Sequence, residues 1–259
     1  MHIRWVVASA AVCVLAPTSR GTPAAPAAVP VHWAEGTVHG FVELRTESGA
    51  LLAQGDLLQI PRDSDIESRL VFHFSDSSDF RETVTFSQHG VFKLEAYHLF
   101  QSGKAFPADI DVTLSGTGDY VVQSTSHKDG KQKRYTGRLD LPSDTYNGMI
   151  PIIGKNVDRK AGRTVHIVAF TPKPIVLPLA FIPSATERIA LGHHTENTVR
   201  FTLKPKLNAL QRVGAAVKRQ TPPDSYLWIV TDEVPAFVRF EGPLYSGPVW
   251  RVELTSPAP

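Results

Sequence analysis

Residues 70–98 read LVFHFSDSSDFRETVTFSQHGVFKLEAYH, and the alternation in this stretch decides the fold class. Leu70, Phe72 and Phe74 share one face of an extended chain. Ser75 to Asp79 form a polar turn, and Phe80, Glu82, Val84 and Phe86 share the next face. Side chains two apart on a strand point the same way, so this is the period of half-buried antiparallel strands. Gln88-His89-Gly90 reads as a three-residue loop with glycine in the left-handed position. That loop opposes Phe86 to Phe92, Val84 to Leu94 and Phe80 to His98. A two-residue loop would oppose Phe86 to Lys93 and Val84 to Glu95. A one-residue slip moves every side chain to the other face, so the first register is expected.

Outward from this core the same pattern continues. Thr37 to Thr46 and Leu51 to Ile60 read as strands around a Glu47-Ser48-Gly49 turn, with Gly55 as a candidate bulge. Asp109 to Leu114 and Tyr120 to Ser126 flank Gly116-Thr117-Gly118. Lys128-Asp129-Gly130-Lys131 is a hairpin signal. Lys128, Lys131, Lys133 and Arg134 cluster there, which reads either as a nucleic-acid patch or, the favoured reading, as solubilising charge that protects strand edges. At Leu141-Pro142-Ser143-Asp144 the pattern changes. Ser143 or Asp144 is placed to cap a helix towards Lys155, which Gly148, Pro151 and Gly154 keep short or broken. Val165 to Phe170, Ile175 to Phe181 and Thr198 to Leu203 are further strands. Leu207, Leu210, Val213 and Val217 are spaced for a helix over Leu207 to Arg219. Tyr226 to Thr231, Ala236 to Glu241 and Val249 to Leu254 close the chain.

Domain organisation and compartment are read from the N-terminus and the charge. A basic start with Arg4, an apolar run over Trp5 to Ala16 and Ala25-Pro26-Ala27 have the form of a secretory signal peptide over residues 1–28. The run is shorter than the ~20 residues of a membrane span. Residues 29–259 then form one β-rich domain, exported to a periplasm or the extracellular space, with no stable transmembrane segment after cleavage. The 259 residues carry 27 Lys+Arg against 25 Asp+Glu, and cleavage removes Arg4 and Arg20 but no acid. The mature charge is near zero, which argues against a nucleic-acid partner. Cys13 is the single cysteine and falls in the leader, so a disulfide framework and a cysteine nucleophile are excluded from the mature chain.

No G-x-S-x-G, H-E-x-x-H, P-loop or Rossmann fingerprint is present. No catalytic residue, metal site or cofactor is assigned. In the register above Glu82 and His98 lie diagonally on the apolar face, where a carboxylate and an imidazole form either an acid/base pair or a structural hydrogen bond. His193-His194 with Glu196, and Asp63-Ser64-Asp65-Ile66-Glu67, hold ligand-type side chains. The first lacks a second cluster, and the second lacks the glycine and terminal glutamate of a calcium loop. Phe72, Phe74, Phe80, Phe86 and Phe92 make an aromatic stripe that serves as sheet core or as the wall of a pocket for an apolar molecule.

Two segments resemble an uncharacterised family of exported bacterial proteins. One is Leu139-Asp140-Leu141-Pro142-Ser143-Asp144 with Asn147-Gly148-Met149. The other runs from Ser225 through Trp228, Pro235-Ala236-Phe237-Val238 and Glu241-Gly242-Pro243 to Trp250-Arg251-Val252-Glu253-Leu254. The order of elements in the second also resembles envelope proteins related to the periplasmic lipoprotein carriers. That resemblance implies a mainly β (α+β) fold: a strongly curved antiparallel sheet, or half-open barrel, with one or two covering helices. In the carriers the concave apolar face holds acyl chains, and no carrier residue transfers to this chain.

Three readings follow. The first is an exported, non-enzymatic envelope protein that binds a lipid or other apolar ligand on the concave face, with Phe72, Phe86, Phe92, Glu82 and His98 as ligand-binding candidates. The second is an envelope protein-protein interaction or structural module with no small ligand. The third is a hydrolase-type enzyme using Glu82 and His98, which requires the two side chains to meet in one cleft.

Overall fold

The structure, a computed structural model, describes residues 27–170, 173–191, 194–207, 224–232, 234–245 and 247–255. The first half contains β1 (Val38–Thr46), β2 (Leu51–Arg62), β3 (Asp65–Phe74), β4 (Asp79–Ser87), β5 (Lys93–Ser102), β6 (Ala108–Ser115), β7 (Asp119–Ser126) and β8 (Gln132–Arg138). A helix, α1 (Ile150–Asn156), separates these from β9 (Arg163–Ala169), β10 (Ile175–Leu191), β11 (His194–Pro205), β12 (Ser225–Val230), β13 (Phe237–Gly242) and β14 (Trp250–Thr255). All fourteen strands belong to one antiparallel sheet. Its order is β8-β7-β6-β5-β4-β3-β2-β1-β14-β13-β12-β11-β10-β9. Each half is a meander, and the first strand pairs with the last, Val42 opposite Leu254 and Leu44 opposite Val252. The expected curved sheet is therefore present as an open barrel whose free edges are β8 and β9.

One helix covers the concave face among the described residues. The expected helix over Leu207 to Arg219 lies outside them apart from Leu207, as do most of the expected signal peptide and His193. The helix α1 is short, as Gly148, Pro151 and Gly154 require, but it starts at Ile150 without a side-chain cap. Asp144, expected as a cap, instead places its carboxylate 2.7 Å from His166 Nδ1. The residues around it run beside edge strand β9. His166 N–H donates to the Asp144 carbonyl and Tyr146 N–H to the His166 carbonyl, both at 2.9 Å. The Asn147 side chain continues the ladder, donating to the Val168 carbonyl and accepting from its N–H. Residues 144–147 thus cover part of the β9 edge, which would otherwise offer unpaired backbone to other chains.

The same segment fills the interior. Tyr146, Met149 and Ile153 are fully buried, in a core that draws on both halves of the sheet. The Tyr146 hydroxyl donates to the Phe92 carbonyl at 3.2 Å and accepts from Val29 N–H at 2.7 Å. Gly154 lets α1 approach β12, since a Cβ there would lie 2.4 Å from Leu227. Gly55 is no bulge: it pairs regularly with Val42 and Phe72, and a Cβ on it would meet the Val71 carbonyl oxygen at 1.9 Å.

The register between β4 and β5 corrects the expectation. Phe86 faces Leu94, Thr85 faces Ala96, Val84 faces Tyr97 and Glu82 faces Leu99. Glu95 has no partner, so the strand carries a bulge that reverses the facing of everything after it. Tyr97, Leu99 and Gln101 point inward and are buried, while Ala96 and His98 are exposed. The expected pairings of Phe86 with Phe92, Val84 with Leu94 and Phe80 with His98 do not form.

Tyr146→Phe is expected to destabilise the protein by ~1–3 kcal/mol, because the buried Val29 N–H loses its acceptor. Urea unfolding with an unchanged slope and a lowered midpoint is the check.

Candidate functional site

A partly enclosed cavity of about 340 Å³ lies between the concave face of β2, β3 and β4 and the helix α1. Its walls are mainly apolar, with Val38, Leu57, Leu70, Val84, Ile152 and Phe237 among them. A size near 300 Å³ is the lower end of small-molecule pockets. At the mouth stand Trp33 and Val234, which are 39% and 67% exposed.

A strap formed by residues 32–36 crosses the helix and borders this mouth. Asn156 Oδ1 accepts from His32 N–H at 2.9 Å and Trp33 N–H at 2.8 Å. The Gln88 amide clasps the backbone of Glu35 on both sides. Lys155 Nζ lies 2.5 and 2.7 Å from the two carboxylate oxygens of Glu35, a pair almost wholly removed from solvent. Such a pair costs desolvation on both partners and holds together because each satisfies the other.

Three polar side chains interrupt the apolar wall. Gln59 on β2 is directly opposite Ser68 on β3, and Ser68 is opposite Val84 on β4. Glu82, two residues from Val84, lies on the same face and borders the same cavity. Gln59 and Ser68 are 4% and 6% exposed, and the Gln59 carbonyl oxygen has no hydrogen-bond partner. Glu82 accepts a hydrogen bond from the Tyr97 hydroxyl at 2.8 Å. Burial pushes the Glu82 carboxyl up to about 7, and the Tyr97 hydrogen bond offsets only part of that shift. The Tyr97 phenol is driven well above its usual range by burial and by the adjacent carboxylate. Its ring stacks on Phe170, 6.2 Å between centroids and 3° between planes.

The sequence-derived site residues separate into three places. Glu82 lines the cavity. His98 lies on the outer face, half exposed, 2.8 Å from Asp111. The bulge at Glu95 puts it there, so the Glu82–His98 pair does not exist. Phe72, Phe86 and Phe92 are fully buried and outside the cavity lining. Phe72 packs at 6.1 Å on Phe80, and Phe86 at 6.0 Å on Phe92, which makes all three core. Gln59, Ser68 and the Glu35–Lys155 pair were not singled out in the sequence. The alternation of β2 and β3 does place Gln59 on the face of Leu57 and Ser68 on that of Leu70, and a polar residue on an apolar face is the available signal.

The remaining sequence candidates lie elsewhere. His194 and Glu196 fall on β11, and Asp65 and Glu67 fall within β3. Glu67 is paired with Arg69 and Arg62. No cluster of three metal-ligating side chains occurs among the described residues. Lys128, Lys131, Lys133 and Arg134 are exposed at the β7–β8 hairpin and along edge strand β8. A shallow groove of about 550 Å³ runs past Thr85, Ala96, His98 and Val121, but it is open to solvent and sequesters nothing. None of the described helices is long and apolar enough to cross a membrane.

No known protein family and no curated protein matches the sequence. Among solved structures, the chain is similar to a β-barrel-like protein of a domain of unknown function, DUF1849, from Brucella abortus. The two share 10% identity at a TM-score of 0.42, over 90% of this chain and 98% of the other.

The Glu82 shift carries a pH signature. The carboxyl is neutral in the folded protein up to about pH 7, against an ordinary value of 4.5. Its contribution to stability is full below about pH 4.5 and is lost as pH rises through about 7, an effect of ~3 kcal/mol. Glu82→Gln is expected to flatten this slope and to melt higher than the unaltered protein at pH 8. Thermal unfolding between pH 4.5 and pH 8 measures it.

Proposed function

We propose that this is an exported, non-enzymatic protein that holds an apolar small molecule, such as a lipid chain, inside its open barrel. The observation that carries the reading is the cavity beneath α1. Its walls are apolar, and it contains a few polar groups with incomplete partners, the usual composition of a small-molecule site. The strap over residues 32–36 shields the mouth, and its hydrogen bonds to Asn156 and Gln88 give it a defined closed position. Export is supported by the signal-like form of residues 1–28.

Native mass spectrometry of the protein purified from an exporting host without detergent tests the reading. A mass excess that disappears on denaturation, with a lipid or other apolar compound in the organic extract, is the expected result. Leu70→Trp, which fills the cavity, should abolish the excess. A bare mass in both proteins would favour an interaction module instead.

A further inference from the structure

The polar groups of the cavity specify more than an apolar occupant. Gln59, Ser68 and Glu82 sit on three adjacent strands, on one face, and border one space. Ser68 and Glu82 offer the space oxygen acceptors, a hydroxyl and a carboxylate. The Gln59 carbonyl oxygen is shut off from the cavity space and has no partner within the chain. Glu82 accepts from Tyr97 at one oxygen, and its other oxygen is left for a second donor. No positive charge is on hand for an anionic ligand. Lys155 is the one cation among the described residues of the lining, and Glu35 already neutralises it.

We propose that the cavity selects an aliphatic molecule with a primary ammonium head, whose N–H donors meet the Glu82 carboxylate and the Ser68 hydroxyl. This rests on the cavity-binding reading above and narrows it to one ligand class. An ammonium carries N–H donors and no acceptor, which matches a carboxylate and a hydroxyl that both accept. A carboxylate or phosphate head would instead meet Glu82 as a like charge in a poorly solvated space. About 340 Å³ accommodates a chain of roughly ten heavy atoms, taking ~30 Å³ for each.

The proposal has a pH dependence. Apart from Glu82, the titratable groups around the site are Tyr97 on β5, Tyr245 packed beyond Phe170, and the Glu35–Lys155 pair. Both tyrosines are held above their usual values by burial and stay neutral near pH 7. Glu82 ionises at about 7 in the empty protein, whereas an alkylamine, like the Lys side chain, remains charged until about pH 10. Affinity for the ammonium should therefore fall about tenfold for each pH unit below about 7.

The test is calorimetric titration of the purified protein with n-octylamine, 1-octanol and octanoate at pH 8, repeated with octylamine at pH 6 and pH 5. The expected result is octylamine binding at least tenfold tighter than the other two, and weakening as the pH falls. Glu82→Gln should weaken octylamine at least tenfold and leave octanol within about twofold. Ser68→Ala, a milder change, should weaken octylamine severalfold and serves if Glu82→Gln fails to fold. Equal binding of the three probes, or preference for octanoate, overturns the ammonium proposal and leaves the cavity reading standing. Binding of none of them overturns both.

Discussion

The chain between Leu139 and Gly162 must travel from one edge of the sheet to the other, and its middle, from Asp144 to Val157, is largely buried on the way. It leaves β8 at one edge and enters β9 at the opposite edge. In a flat sheet those edges would stand about 60 Å apart, at ~4.8 Å per strand. The link carries Tyr146, Met149, Ile152 and Ile153, all apolar or aromatic and all inside. A sheet that wraps around the link buries these side chains and its own concave face together. The Tyr146 hydroxyl anchors the arrangement by joining the link to Val29 and Phe92, partners 117 and 54 residues away. The central β1–β14 pairing then locks the two meanders side by side.

This architecture also explains why there is a space to fill. A seven-residue helix covers only part of a concave face built from fourteen strands. The strap over residues 32–36 covers more of it, tied down by Asn156 and the Glu35–Lys155 pair. Beneath them the sheet face keeps Gln59, Ser68 and Glu82 among apolar neighbours. Polar side chains at such positions work against stability unless they have partners, and here their hydrogen-bonding capacity is not filled within the chain. Glu82 illustrates the consequence: low solvation pushes its carboxyl up to about 7, into the neutral range.

Much of the strand content was legible because period-two alternation survives in nearly every segment. Most bounds shifted by a few residues, but β10 extends from Ile175 to Leu191, ten residues beyond the expected end at Phe181. The candidate pair of Glu82 and His98 failed at one residue. Phe92 and Leu94 have one parity, while Tyr97 and Leu99 have the other, and the three-residue step from Leu94 to Tyr97 marks the bulge. Reading that step would have moved His98 to solvent and brought Tyr97 to Glu82. The motif from Leu139 to Met149 was conspicuous in the sequence, but its roles as edge cover and plug were not. Asp144 looked like a helix cap because local chemistry favours that use. Its true partner, His166, is 22 residues away.

Sequence by itself determined the class of fold, the order of most strands, the short interrupted helix and the lack of a disulfide framework. These follow from local periodicity, from glycine and proline, and from composition. Tertiary structure decided the pairing of the first strand with the last, the open edges, the cavity and the set of side chains around it. Those depend on contacts between residues far apart in the chain, and on a single bulge that local alternation does not specify. Burial, not residue type, gives Glu82 its unusual carboxyl, and burial exists only once the sheet has closed around its own linker.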